Sequence, residues 1–172
     1  MRLIMKIKTF IISLLLSLAC SISSAKTIDI SPANASIFFQ VSHDLGYTIG
    51  YFKNFSGMVE LSDDQAQLLS AKAQVQVGSI NTHNVVRDEG LRSSLFLDAV
   101  KFPQASYENG SLTIRGITKP LALKVEKDPA TGKVSLKGIF NRNDYGVTYN
   151  KLLGNKKKSI GDMIELIVEL NG

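Results

Sequence analysis

From Ala35 onward, apolar and polar residues alternate with a period of two, the mark of strands buried on one side. Ile37, Phe39, Val41 and His43 share one face, with Gln40 and Ser42 on the other. Ala71, Ala73, Val75 and Val77 alternate with Lys72, Gln74 and Gln76. The pattern recurs at Leu112 and Ile114, at Leu121, Leu123 and Val125, and at Val134, Leu136 and Gly138. It returns at Ile164, Leu166, Val168 and Leu170. Turn signals separate these runs. Asn109-Gly110 supplies the positive φ angles of a two-residue hairpin. Asp128-Pro129-Ala130-Thr131-Gly132 closes a longer one, and Gly57 and Ser62-Asp63-Asp64 are weaker breaks. Strands of similar length joined by hairpins predict an antiparallel sheet closed as a barrel or sandwich.

Residues 84–93 depart from the alternation. Asn84 can cap a helix, with Asp88 and Glu89 in its early turns and Arg92 near its end. Asp88 and Arg92 are spaced for an ion pair one turn apart.

The chain has 172 residues, with 44% hydrophobic and 20% charged, which suits one globular domain and excludes disorder. Its formal charge of +5 points at first to an anionic partner such as nucleic acid. The first 25 residues weaken that reading. Arg2, Lys6 and Lys8 precede an apolar run from Phe10 to Leu18, and Ser23-Ser24-Ala25 offers a small-residue cleavage site. The segment carries three basic residues and no acidic one, so cleavage after Ala25 lowers the charge to +2. It also removes Cys20, the single cysteine. The expectation is export to the periplasm or beyond, with no nucleic-acid partner. Lipidation at Cys20 is the lesser alternative, because Ser17 occupies the position where a lipobox usually has Leu.

A barrel of about eight strands is just wide enough to fill with side chains or to hold one small ligand. Here Ala71, Ala73, Val75, Val77 and Gly138 are small, while Leu, Ile and Phe line other strands. Small residues on one wall leave a cavity unless bulk from the opposite wall fills it, so both outcomes stay open.

Five segments carry a family likeness. They are Phe39-Gln40-Val41-Ser42-His43; Phe52-Lys53-Asn54-Phe55-Ser56-Gly57; Ser79-Ile80-Asn81-Thr82 with Arg87-Asp88, Leu91, Ser93, Phe96, Asp98 and Phe102-Pro103; residues 112–120; and Asn141-Arg142-Asn143-Asp144-Tyr145-Gly146. In this order they resemble the YceI family of exported lipocalin-like proteins, over about residues 28–170. The resemblance implies an all-β, eight-stranded antiparallel lipocalin-like barrel with one short helix. It implies an apolar pore that holds a long isoprenoid or similar lipid, such as a polyprenyl chain or a quinone tail. No catalytic activity, metal or cofactor beyond that lipid is expected.

On this reading the strands supply Phe39, Val41, His43, Val75, Val77, Leu112, Ile114, Leu123, Leu136, Leu166 and Val168 to the pore or its mouth. Leu91 comes from the helix, Arg142 from the turn after Phe140, and the aromatic residues Phe52, Phe55, Phe96, Phe140 and Tyr145 line the pore or plug its ends. His43 either meets a headgroup or bonds within its own loop. Arg87 and Arg142 either face an anionic headgroup or tie helix and turn to the barrel through Asp88, Asp98 and Asp144. Lys151 and Lys156-Lys157-Lys158 form a basic loop, solvated or in transient contact with an anionic membrane surface. Two other functions compete: an enzyme acting on a lipid headgroup, with His43 as base and Asp44 or Arg142 assisting, and an exported stress-related interaction protein. Pairing of barrel edges would make a homodimer.

Overall fold

The computed structural model describes residues 25–149 and 160–171. Residues 1–24 of the predicted leader, Cys20 among them, and the basic loop at Lys151 and Lys156–Lys158 lie outside them. The alternating segments form twelve strands: β1 (Ala25–Ile30), β2 (Ala35–His43), β3 (Gly46–Phe52), β4 (Phe55–Ser62), β5 (Leu68–Gln76), β6 (Ile80–Asn81), β7 (Gln104–Glu108), β8 (Ser111–Ile114), β9 (Ile117–Pro120), β10 (Lys124–Lys127), β11 (Val134–Asn141) and β12 (Met163–Leu170). One helix, α1 (Val85–Arg92), lies between β6 and β7.

The strands pair antiparallel in two six-stranded sheets, ordered β1-β4-β5-β7-β8-β9 and β10-β11-β12-β2-β3-β6. The expected antiparallel, lipocalin-like architecture with one short helix is present among the described residues, with twelve strands in two separately paired sheets where eight in one closed barrel were expected. The β2–β12 ladder, with Ile37 opposite Val168 and Val41 opposite Ile164, joins the two ends of the described chain. Side chains at every second position point between the sheets, where Ile37, Val59, Leu61, Leu112, Leu136 and Val168 are buried.

Local chemistry explains the boundaries. Asn109 and Gly110 both have positive φ, and Glu108 pairs with Ser111 across them, giving the predicted two-residue hairpin. Arg115-Gly116 makes a second turn of the same kind between β8 and β9, again with both φ angles positive. The alternation does not reveal it, because Arg is not a turn signal. Asp128 secures the longer hairpin by accepting from the Ala130 and Thr131 amides. Asn84 caps α1 by accepting from the Arg87 amide.

Three expectations change in the folded chain. Gly57 is no break: it lies inside β4, where a Cβ would come within 2.2 Å of the Lys72 carbonyl oxygen on β5. The predicted strand Leu121–Val125 is strand only from Lys124. Its first residues cross from β9 at the edge of one sheet to β10 at the edge of the other. Gly138 does not leave a void, since a Cβ there would meet Leu123 at 2.8 Å and the Ala122 carbonyl at 3.0 Å. The small residue admits the crossing segment.

Candidate functional site

Between the sheets lies a cavity of about 470 Å³, within the range of small-molecule sites. One wall is built from small residues: Ala71, Ala73 and Val75 on β5, and Ala105 on β7. Opposite stand Phe39 and Val41 on β2 with Leu166 and Val168 on β12. The small-residue wall therefore keeps its space, because the bulkier wall does not reach across it. α1 contributes Arg87, Gly90 and Leu91, and the segment after it adds Phe96 and Leu97.

The cavity wall includes all but two of the residues assigned to the pore from sequence. Phe39, Val41, His43, Phe52, Val75, Leu91, Phe96, Leu112, Ile114, Leu123, Leu136, Phe140, Arg142, Tyr145, Leu166 and Val168 all line it. Val77 does not. β5 ends at Gln76, and the chain turns at Val77–Ser79 with the Val77 amide bonded to the Pro103 carbonyl, so the alternation stops one residue early. Phe55 is buried at the first position of β4 within the apolar core, away from the cavity wall. Sequence reasoning did not assign Val147, Ile160 and Ala105 to the wall. The first two follow turns and loops that carry no periodicity, and Ala105 sits in a short polar strand, so none had a usable signal.

Aromatic rings form three pairs around the space: Phe39 with Phe52 at 6.0 Å, Phe96 with Tyr149 at 4.8 Å, and Phe140 edge-on to Tyr145 at 5.3 Å. Phe102 is elsewhere, packed over Gly116 beside Lys101 and Arg115. Phe38 stacks on Tyr51 across the β2–β3 ladder, on the face away from the cavity. The hydroxyl of Tyr107 donates to the Leu121 carbonyl, whereas that of Tyr145 is buried with no partner. Burial pushes both phenols above their ordinary pKa, and the neighbouring Asp144 charge adds to the effect at Tyr145.

The polar side chains sort by their partners. Arg142 is 4% exposed and every arm of its guanidinium is used. Nε donates to the Gly161 carbonyl at 2.8 Å, Nη1 to Val147 at 2.6 Å, and Nη2 to Asp162 at 2.9 Å and Ile160 at 3.5 Å. It binds the end of β11 to the segment that enters β12. The aspartate it pairs with is Asp162, not Asp144. Arg92 donates to the Gly78 and Ile80 carbonyls, so the predicted Asp88–Arg92 pair is replaced by a clip between α1 and β6. Asp88 accepts instead from Thr82. Neither Asp98 nor Asp144 bonds an arginine side chain among the described residues.

Arg87 is different. Nε donates to Thr82 Oγ1 at 2.7 Å, Nη2 to the Thr82 carbonyl at 2.8 Å, and Nη1 to Thr48 Oγ1 at 3.3 Å, all neutral groups. It is the exposed member of the cavity wall, which places the mouth beside Thr48 and His43. His43 Nδ1 accepts from the Leu45 amide at 3.3 Å, which leaves Nε2 to carry the proton of the neutral ring. Among the described residues no Asp or Glu lines the cavity, and no group of three or more His, Cys, Asp or Glu side chains could hold a metal.

The family model of the YceI-like domain matches residues 29–171. The chain belongs to this family. A relative from Shewanella baltica, a UPF0312 protein, is 36% identical over 161 residues, covering 78% of this chain and 82% of its own. Among solved structures, Burkholderia cenocepacia BcnA superposes with a TM-score of 0.63 at 20% identity, over 82% of this chain and 98% of that one. A polyisoprenoid binding domain from Saccharophagus degradans, implicated in plant cell wall breakdown, superposes with a TM-score of 0.57 at 15% identity. It covers 87% of this chain and all of that one. These likenesses show the YceI-like fold across nearly all the described residues.

Proposed function

We propose that this YceI-like protein is a non-enzymatic, exported lipid-binding protein that carries or sequesters a long isoprenoid or similar amphiphile. The observation that carries the reading is the apolar cavity kept open by the alanine wall of β5 and β7. Each buried CH₂ contributes about 0.8 kcal/mol, so several prenyl units outweigh the cost of ordering a flexible tail. Apolar walls discriminate by shape and length, which makes binding tolerant of tail identity. Family membership and the polyisoprenoid binding neighbour favour the same class of ligand. The N-terminal pattern of Arg2, Lys6, Lys8 and the apolar run that follows supports export, with the periplasm as the compartment.

A headgroup enzyme based on His43 would need a carboxylate or nucleophile in reach. Asp44 sits in the turn after β2, exposed, and Arg142 is fully engaged. The test is native mass spectrometry of protein purified from its source, followed by lipid extraction. A co-purified lipid with a prenyl-type tail is expected. Protein that emerges empty and takes up no prenyl lipid on incubation overturns the proposal.

A further inference from the structure

Resting on the lipid-binding reading, a second inference concerns the headgroup. Among the described residues, Arg87 is the cation at the cavity mouth that forms no direct ion pair. Arg142 meets Asp162, but the three partners of Arg87 are the Thr82 hydroxyl, the Thr82 carbonyl and the Thr48 hydroxyl. The nearest acid in the network, Asp88, is 7% exposed and turned into Thr82. The Thr82 hydroxyl gives its hydrogen to Asp88 at 2.6 Å, so it offers only a lone pair to Arg87. Arg87 is thereby pinned from behind, in one orientation, while staying exposed at the mouth. Thr48 and His43 add polar side chains on the same wall. Among the described residues no acidic side chain lines the cavity, so a headgroup at the mouth meets Arg87 directly, with the nearest carboxylate, Asp88, held behind Thr82.

We propose that the mouth selects amphiphiles with an anionic headgroup, a carboxylate or phosphate ester, inserted tail first with the headgroup on Arg87. A preorganised guanidinium gains a charge-assisted hydrogen bond with little loss of side-chain freedom. A cationic headgroup of the same tail would meet Arg87 as a like charge.

The test compares three probes with one shared monounsaturated tail: oleate, oleyl alcohol and oleylamine. Each displaces a neutral fluorescent probe from the delipidated full chain near neutral pH. Oleate is expected to bind about tenfold tighter than the alcohol, and the amine more weakly than either. The preference should shrink as salt is raised, because the mouth is open to solvent. Arg87→Gln should bring the oleate-to-alcohol ratio to about one and Arg87→Lys should keep part of it. Lys133→Gln, the same charge change on the distant β10–β11 hairpin, should leave the ratio alone. Equal binding of all three probes by the wild-type chain, or an unchanged ratio in Arg87→Gln, overturns the headgroup inference alone. Failure of all three to displace the neutral probe overturns the cavity reading and this inference with it.

Discussion

Thr82 gives Asp88 two hydrogen bonds at a single carboxylate oxygen, from its amide at 2.8 Å and its hydroxyl at 2.6 Å. Both residues are buried, and the same hydroxyl holds Arg87. Thr82→Val keeps the shape but removes the donor to Asp88 and the acceptor for Arg87. It should destabilise the protein by about 1–3 kcal/mol, and Thr82→Ser should restore most of the loss. Urea unfolding midpoints decide it. A Val variant as stable as wild type would show that the Asp88 carboxylate finds other donors.

Arg142 and Arg87 should separate cleanly in their effects. Arg142→Lys keeps the charge but cannot reach four acceptors spread over the loop and Asp162. We expect a loss of about 3 kcal/mol, below that of a fully buried pair because Asp162 is half exposed. Thermal unfolding and ligand titration of the same variant test this together. Normal stability with weakened lipid binding would make Arg142 a headgroup contact instead of a brace.

The alanine wall sets how much tail fits. Ala73→Leu adds bulk to the cavity from the middle of β5. The cavity already has room there, so the overpacking cost should stay below the ~1–3 kcal/mol seen in filled cores. Long-tail affinity should fall about tenfold or more as buried CH₂ groups are excluded. Titration with a graded series of prenyl alcohols measures it. Undiminished affinity for the longest member would place the tail elsewhere.

The unpartnered hydroxyl of Tyr145 makes a prediction about alkaline pH. Burial raises the phenol's pKa, so the native state holds this proton more tightly than the unfolded chain. The corresponding stability is intact below the ordinary tyrosine value of 10.0 and declines as pH rises through it. Tyr145→Phe should flatten that decline. Near neutral pH it should be neutral or stabilising by about 1 kcal/mol, since it deletes a buried group that has no partner. Unfolding curves across the alkaline range read both effects. A large destabilisation at neutral pH would mean the hydroxyl has a partner in solution.

The legible parts of this protein were those set by neighbours in sequence. The faces of β2, β5, β8, β11 and β12 follow from period two, because adjacent side chains on a strand point to opposite sides. The hairpin at Asn109-Gly110 and the cap at Asn84 follow from backbone preferences of single residues. The arginine partners were not legible. Arg142 takes its acceptors from residues 147 to 162, and Arg92 takes its own from 78 and 80. Carbonyls carry no residue-type signal, so an i,i+4 match such as Asp88–Arg92 can look better than the bonds that form.

The sequence by itself determined which residues face inward and which family the fold belongs to. Tertiary structure decided what those inward faces enclose. Alternation states the side of a strand but not the distance between two sheets or where a strand ends. The small residues Ala71 and Ala73 therefore border open space, while Gly138 is covered by Leu121 and Leu123, and Val77 leaves the wall because β5 has already turned. The same holds for charge: composition counts Arg87 and Arg142 alike, and only the folded structure shows that Arg142 is ion-paired with Asp162 while Arg87 bonds only neutral groups directly.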